Sequence, residues 1–290
     1  MSVDKSECGE GHQEKITPVE PGARVLVVGG SDPSGASGIQ ADLRTLTALG
    51  VYGASAVTAL TVQNQYGVTD IMPLSASFVG AQIDAALGDA ACEVVKTGML
   101  ASVDIVQALV QRTGSLGSSS RLVLDPVLQS SSGRSLLSSE GVELLLEKLV
   151  PAAALVTPNI PEATRLTGVP IANIDDMGRA IDQLLARGAG GVLLKGGHLV
   201  DVEPEITEIT DILRTADGEE VRFSRPRIKG PVFRGTGCTL ASAVAGGIAE
   251  GFTLQSSVQR ARDYIETAMK NSAPYRAFRG LGWVSPEFNA

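Results

Sequence analysis

Aromatic residues are scarce in this chain, at 4% of 290 residues with a single Trp. Its 43% hydrophobic content must therefore pack a core of Val, Leu, Ile and Ala rather than an aromatic-rich sandwich. Cysteine and histidine are also thin on the ground. Cys8, Cys92 and Cys238 lie far apart, and with two histidines they make neither a disulfide framework nor a zinc cluster. No apolar run approaches the roughly 20 residues of a membrane span. Basic charge is short too: 24 Lys and Arg against 32 Asp and Glu leave a net charge of −8, with no basic cluster. That balance argues against a general nucleic-acid binder. Residues 1–23 mix both charge signs and lack an apolar h-region, so a flexible tail is expected there rather than a secretory signal, and a cytoplasmic setting with it.

What the chain does have is glycine, 33 residues of it, much of it beside apolar runs. Arg24–Gly30 is a β-branched run ending in glycines, then come a turn-rich loop over 31–38 and a helical pattern over Ile39–Leu49 that stops at Gly50. This opening suits a nucleotide fold. It carries neither the G-x-G-x-x-G dinucleotide fingerprint nor a Walker A loop. Further strands are expected at Val51–Thr58, Val68–Pro73, Glu93–Thr97, Arg121–Leu124, Leu155–Thr157 and Gly191–Lys195. Helices are expected at Ser75–Leu87, Val103–Gln111, Glu140–Leu149 and Asp176–Ala186. A Gly/Ser linker follows Gln111, and a hairpin of Thr207–Thr215 with Glu219–Arg225 turns at Asp217-Gly218. Alternating strands and helices predict a mainly parallel sheet covered on both faces. Right-handed crossovers then put Asp125, Asn159, Glu162 and Lys195 on one edge, where such sheets bind ligands.

The most informative stretch is Gly230–Glu250. It reads as a glycine turn, Arg234-Gly235-Thr236-Gly237, running into a small-residue helix that begins near Cys238. First-turn amides without intrahelical partners, backed by the helix dipole, make an anion site. The same field is expected to favour the Cys238 thiolate. Leu254–Ser272 has a helical pattern, and 276–290 reads as irregular. Gln63 and Asn64 stand in an apolar context, either as turn formers before Gly67 or as an amide for a ring-nitrogen ligand.

Eight motifs occur in order: GSDPSGASGIQADL (Gly30–Leu43), LGVYG (Leu49–Gly53), TALTVQN (Thr58–Asn64), KTGML (Lys96–Leu100), LDPV (Leu124–Val127), TPNIPEA (Thr157–Ala163), KGGH (Lys195–His198) and GTGCTLASA (Gly235–Ala243). On these the chain resembles the ribokinase-like superfamily, and within it the hydroxymethylpyrimidine/phosphomethylpyrimidine kinases. The resemblance implies an α/β fold, a ribokinase-like three-layer αβα sandwich with a mainly parallel central sheet and a few antiparallel strands. It implies one kinase domain over 24–275 that phosphorylates 4-amino-5-hydroxymethyl-2-methylpyrimidine and its monophosphate from ATP in thiamine biosynthesis, as a homodimer. Carried over by position, Gly30, Asp42, Gln63, Met99 and Val127 hold the pyrimidine. Gly235, Thr236 and Gly237 form the anion hole, and Cys238 stands beside the acceptor hydroxyl. Asp125, Asn159, Glu162 and Lys195 serve the nucleotide, with Asp125 and Glu162 (directly or through water) as the Mg²⁺ side chains.

The chain departs from the family where Ala36-Ser37 replaces Gly-Ala, where QSSSG (Gln129–Gly133) lacks a lysine seen in some members, and at GLGWVSP near its end. Val62 replaces a smaller alanine and is expected to narrow the pyrimidine pocket. Three other readings are weighed against the kinase. These are a pyridoxal or pyridoxine kinase of the same superfamily, a non-catalytic pyrimidine or nucleotide sensor on this fold, and a thiol-redox protein. The last lacks a resolving cysteine near Cys238.

Overall fold

Strands form where short β-branched runs can be buried on both faces. The computed structural model describes residues 22–64, 66–113, 121–130, 133–199, 205, 207–228, 233–271, 274–275 and 278–280. β1 (Arg24–Ser31) is buried from Val25 to Gly30. It is followed by β2 (Tyr52–Asn64), β3 (Gly67–Pro73), β4 (Val94–Thr97), β5 (Arg121–Leu124), β6 (Ala153–Val156), β7 (Gly191–Leu194), β8 (Glu208–Thr215) and β9 (Glu220–Pro226). These nine make one sheet in the order β3-β2-β1-β4-β5-β6-β7-β8-β9. The six strands from β2 to β7 in that order run parallel, while β3, β8 and β9 pair antiparallel.

The helices are α1 (Gly38–Ala48), α2 (Ala76–Ala90), α3 (Val103–Thr113), α4 (Ser139–Leu144), α5 (Ile160–Thr167), α6 (Ile174–Ala186), α7 (Thr236–Ala249) and α8 (Leu254–Lys270). Side-chain alternation along each strand divides the core in two. Leu26, Val28 and Leu124 pack with Ile83, Ile105, Ala163 and Ala180, which places α2 to α6 on one face. Val25, Val27 and Val123 pack with Leu46, Val244 and Val258, which places α1, α7 and α8 on the other. The result is the expected three-layer αβα sandwich. α7 is buried continuously from Thr239 to Ile248. Its small side chains let it lie between the sheet, α1 and α8.

Several boundaries differ from expectation. β2 continues through Ala59 to Asn64, so Gln63 and Asn64 belong to a strand and the turn is confined to the hairpin tip, where Asn64 Oδ1 accepts the Tyr66 amide at 2.8 Å. Pairing with β3 supplies the backbone bonds that the polar side chains seemed to deny. α5 was not anticipated. Its start is a capping box in which Asn159 and Glu162 satisfy each other's backbone amides, and Gly168 closes it in the left-handed region. α7 starts at Thr236, two residues earlier than expected. In the tail taken as irregular, β12 (Phe278–Gly280) joins β10 (Phe233–Arg234) and β11 (Pro274–Tyr275) in a small second sheet. The expected N-terminal tail up to residue 21 and the Gly/Ser linker at 114–120 lie outside the described residues.

One buried ion pair fastens the sheet to α8. Asp211 on β8 accepts from Arg262, both side chains being nearly inaccessible, and its other oxygen accepts the Gly196 amide at 2.9 Å. That second bond fixes the turn following Lys195. Asp211→Ala strands the Arg262 charge, a situation that typically costs about 3–5 kcal/mol. Urea denaturation of the variant is expected to show a loss of that order; a loss below about 1 kcal/mol would mean the pair is dispensable.

Candidate functional site

The carboxyl ends of β1, β4, β5, β6 and β7 open on one edge, and there the chain forms a cleft of about 850 Å³. All thirteen residues singled out from the sequence line it. Its floor is the turn into α7. Gly235 has φ +80°, and a Cβ on it would lie 1.9 Å from the Ala36 carbonyl oxygen, so the turn is seated directly on the 31–38 loop. No side chain caps the helix. The amides of Thr236, Gly237 and Cys238 have no carbonyl four residues back within α7, which leaves a positive dipole end for an anion. The Lys195 ammonium adds a full charge, lying 3.4 Å from where a Cβ on Gly237 would be.

On one side of this turn Lys195 Nζ and Thr157 Oγ1 both donate to Asp125 Oδ1 at 3.1 Å. The Asp125–Lys195 pair is almost wholly buried. Burial alone would weaken the ammonium, yet Asp125 and Glu162 hold the Lys195 pKa above its usual value. Glu162 is 6% exposed and accepts the Asn159 amide at 2.8 Å. Desolvation pushes its carboxyl up to about 7, against the pull of Lys195 and with a further push from Asp125. Among the described residues no three His, Cys, Asp or Glu side chains cluster closely enough to cage a metal by themselves. Two carboxylates beside a helix end suited to an anion nevertheless fit Mg²⁺, which keeps several waters and takes one or two carboxylates plus phosphate oxygens.

On the other side, Gly30 lets Met99 close in. A Cβ at Gly30 would meet the Met99 sulfur at 3.1 Å, and Thr58 Oγ1 fixes the Met99 carbonyl at 2.6 Å. Gln63 Nε2 donates to Ser37 Oγ at 3.3 Å, which leaves its amide oxygen for a ligand. Alternation along β2 turns Thr61 and Gln63 into the cleft. Val62 points the other way and is 61% exposed, so its extra bulk does not narrow the pocket.

The Cys238 expectation needs correcting. The thiol is not favoured as thiolate: desolvation raises its pKa to about 11, helped by Asp42 and Asp125 and opposed by Lys96 and by a hydrogen bond from the Gly38 amide. Cys238 is the third residue of α7, half-buried at the edge of the cleft.

Sequence reasoning also missed residues. Lys96 is wholly inaccessible and donates to Asp42 Oδ1 at 2.8 Å, where Ser242 Oγ also donates at 2.8 Å. Burial disfavours the Lys96 ammonium, but Asp42, then Cys238 and Asp125, hold it charged. A lysine within a four-residue strand that is buried throughout was the legible signal. Asp32 was overlooked as well. It takes the amides and hydroxyls of Ser34 and Ser37 at 2.7–2.9 Å and so shapes the 31–38 loop. Arg225, Arg227, Ile209 and Met269 line the far end beyond Lys195.

Residues 32–282 match the family model described as phosphomethylpyrimidine kinase. A hydroxymethylpyrimidine/phosphomethylpyrimidine kinase of Escherichia coli is 40% identical over 263 residues, 89% of this chain and 95% of that one. The chain spans about half the length, 52% and 47%, of two longer relatives that are 44% identical to it. Among solved structures, a phosphomethylpyrimidine kinase from Clostridium difficile superposes with a TM-score of 0.73 at 38% identity, covering 85% of this chain and 99% of that one. Staphylococcus aureus pyridoxal kinase, in complex with AMP-PCP and pyridoxal, superposes at 0.81 with 27% identity, covering 92% and 94%.

The raised thiol pKa has a direct chemical readout. A thiol titrating at about 11 is almost entirely neutral at pH 7.5. Since thiolate is the nucleophile, alkylation of Cys238 by iodoacetamide should climb about tenfold per pH unit from 7 to 9.5 without levelling. Peptide mapping by mass spectrometry separates it from Cys92. A plateau near pH 8.5 would show an ordinary thiol instead.

Proposed function

The chain belongs to the phosphomethylpyrimidine kinase family, and from that premise we propose that it transfers the γ-phosphoryl group of ATP to the hydroxymethyl oxygen of 4-amino-5-hydroxymethyl-2-methylpyrimidine. In a second turnover at the same site it phosphorylates the resulting monophosphate to the diphosphate, two steps of thiamine biosynthesis. The observation that carries this reading is the shared cleft. An unfilled helix N-terminus with Lys195 beside it, two buried carboxylates and the Gln63 amide all face one space.

The roles follow from the chemistry of the groups. Gln63 receives the aminopyrimidine edge with Met99, Gly30 and Val127 against the ring, and Asp42, fixed by Lys96 and Ser242, faces the same pocket. The hydroxymethyl oxygen attacks the γ-phosphorus in line, the bond from that phosphorus to the β–γ bridging oxygen breaks, and ADP leaves. The amides of the Gly235–Cys238 turn and the Lys195 ammonium take up charge on the moving phosphoryl oxygens, a contribution that commonly amounts to roughly 10²–10³ in rate per well-placed donor. Cys238, neutral at physiological pH, orients the hydroxyl. The hydroxyl proton passes to an oxygen of the transferring phosphoryl group as the new bond forms, late in a loose transition state. Asp125 and Glu162 would hold Mg²⁺, directly or through water, and the ion would supply positive charge to the phosphate groups. Asn159 shapes that corner through its capping box, and Arg225, Arg227, Ile209 and Met269 offer the surface for the nucleoside. Consumption of ATP fits a cytoplasmic setting; among the described residues no helix is long and apolar enough to cross a membrane.

The pyridoxal kinase alternative shares the fold, so the substrate must be decided by side chains. Gln63 offers one acceptor and donor in a plane, as an aminopyrimidine edge requires. With ATP and Mg²⁺, kcat/KM for the hydroxymethylpyrimidine is expected to exceed that for pyridoxal by at least about tenfold, or 1.4 kcal/mol in transition-state binding. Products are identified by mass; a preference for pyridoxal would overturn the assignment.

The homodimer reading rests on the outer face of the β2–β3 hairpin. Leu60 and Met72 are paired across it and are 46% and 59% exposed, with Val62 beside them. A contiguous apolar face on an edge hairpin suits a two-fold interface. Light scattering is expected to give a dimer that Val62→Asp converts to monomer, and a wild-type monomer at micromolar concentration would remove the proposal.

A further inference from the structure

Arg234 stands immediately before the phosphoryl-binding turn, and its side chain does not point to that turn's ligand space alone. It is 8% exposed, and its guanidinium Nη1 donates to the backbone carbonyl of Asn64, 170 residues away, at 2.5 Å. Asn64 is the last residue of β2 and directly follows Gln63. At that point the β2–β3 ladder is irregular: the register slips between Val62 and Gln63. The ladder therefore holds the Gln63 backbone less regularly than it holds the rest of β2, and the Gln63 amide itself has a long bond to Ser37 Oγ at 3.3 Å. A charged donor on the Asn64 carbonyl is a stronger restraint than either, because charge-assisted hydrogen bonds are about twice as strong as neutral ones.

The next residue completes a three-way joint. Gly235 sits on the Ala36 carbonyl with no room for a side chain. Within two consecutive residues, the chain thus locks the 31–38 loop, the tip of the β2–β3 hairpin and the start of α7 to one another. We propose that Arg234 is a positioning residue that ties the strand carrying Gln63 to the phosphoryl-binding turn, and so sets the distance between the recognised ring and the transferred group. This rests on the reading that Gln63 holds the acceptor. In-line transfer tolerates little misplacement: a shift of about 1 Å at the reacting atoms can cost on the order of 10²-fold. Arg234 also borders the cleft. The competing role is therefore a direct contact with the phosphate of the monophosphate substrate, which would leave the first phosphorylation untouched.

A double-mutant cycle separates these. Arg234→Met is expected to lower kcat/KM for the hydroxymethylpyrimidine alcohol by about tenfold or more, with KM for ATP changed by less than about twofold. In a Gln63→Ala background the same substitution should cost less than about twofold, because the strap then has nothing to position. Arg234→Lys, which keeps a charged donor, should recover most of the loss, and Arg234→Gln, which removes the charge, carries the cycle if thermal melting shows that the Met variant does not fold. Three results overturn the strap: fully additive losses, an equal rise in KM for ATP, or a defect confined to the monophosphate. If Gln63→Ala alone leaves the alcohol's kcat/KM unchanged, the acceptor assignment of Gln63 falls first and the strap falls with it.

Discussion

The backbone of Gly235 lies so close to the Ala36 carbonyl that a Cβ would come within 1.9 Å of the oxygen, and that contact sets where everything else in the cleft can be. It brings the start of α7 against the loop that leaves β1, so the dipole end of a helix from one layer faces a space bounded by the central strands. Asp32 keeps that loop in shape by taking four bonds from Ser34 and Ser37. A side chain at position 235 would move the turn away from the loop, and the first-turn amides would no longer converge with Lys195. The constraint is steric rather than electrostatic, which makes it insensitive to pH and salt.

Around that fixed turn the chain spends buried charge. Lys96 with Asp42, and Lys195 with Asp125 and Glu162, are held almost out of reach of water. Isolated, any of these ions would lose several kcal/mol on burial, so each is paired and further hydrogen-bonded. The two clusters differ in balance. Lys96 and Asp42 neutralise each other and are locked by Ser242, whereas Lys195 stands between two carboxylates, one of which titrates near neutrality. The second arrangement is short of positive charge, which is the local condition a bound divalent cation would correct on the proposed reading.

Parts of this were legible in the residue order and parts were not. Strand positions along the parallel sheet followed from short apolar runs ending in glycine or proline turns, and the β8–β9 hairpin from Asp217-Gly218, because these signals are local. The extension of β2 to Asn64 was hidden, since the polar Gln63 and Asn64 look like turn formers until β3 is known to pair with them. The cap of α5 was written in Asn159 and Glu162, but the same two residues also read as ligands, and the helix they start was not drawn from them. Lys96 was overlooked because its partner lies 54 residues away. The thiol of Cys238 failed for a related reason: a helix dipole is readable from sequence, while the desolvation that outweighs it depends on what packs over the turn.

That last point bears on how the phosphoryl group would be handled. A thiol with a pKa near 11 offers no standing negative charge and little basicity-driven proton removal at neutral pH. Backbone amides carry no titratable proton in this range, and Lys195 is held charged by its carboxylate neighbours. On the proposed reading, stabilisation of the moving phosphoryl group would therefore fall to groups whose state does not change with pH, with the thiol contributing shape and a soft hydrogen-bond partner. The fold is shared with a pyridoxal kinase, so it does not choose the acceptor; on the proposed reading, the Gln63 amide that strand alternation turns into the cleft would. On that reading, substrate choice and rate would rest on separate parts of the cleft, joined at Arg234 and Gly235.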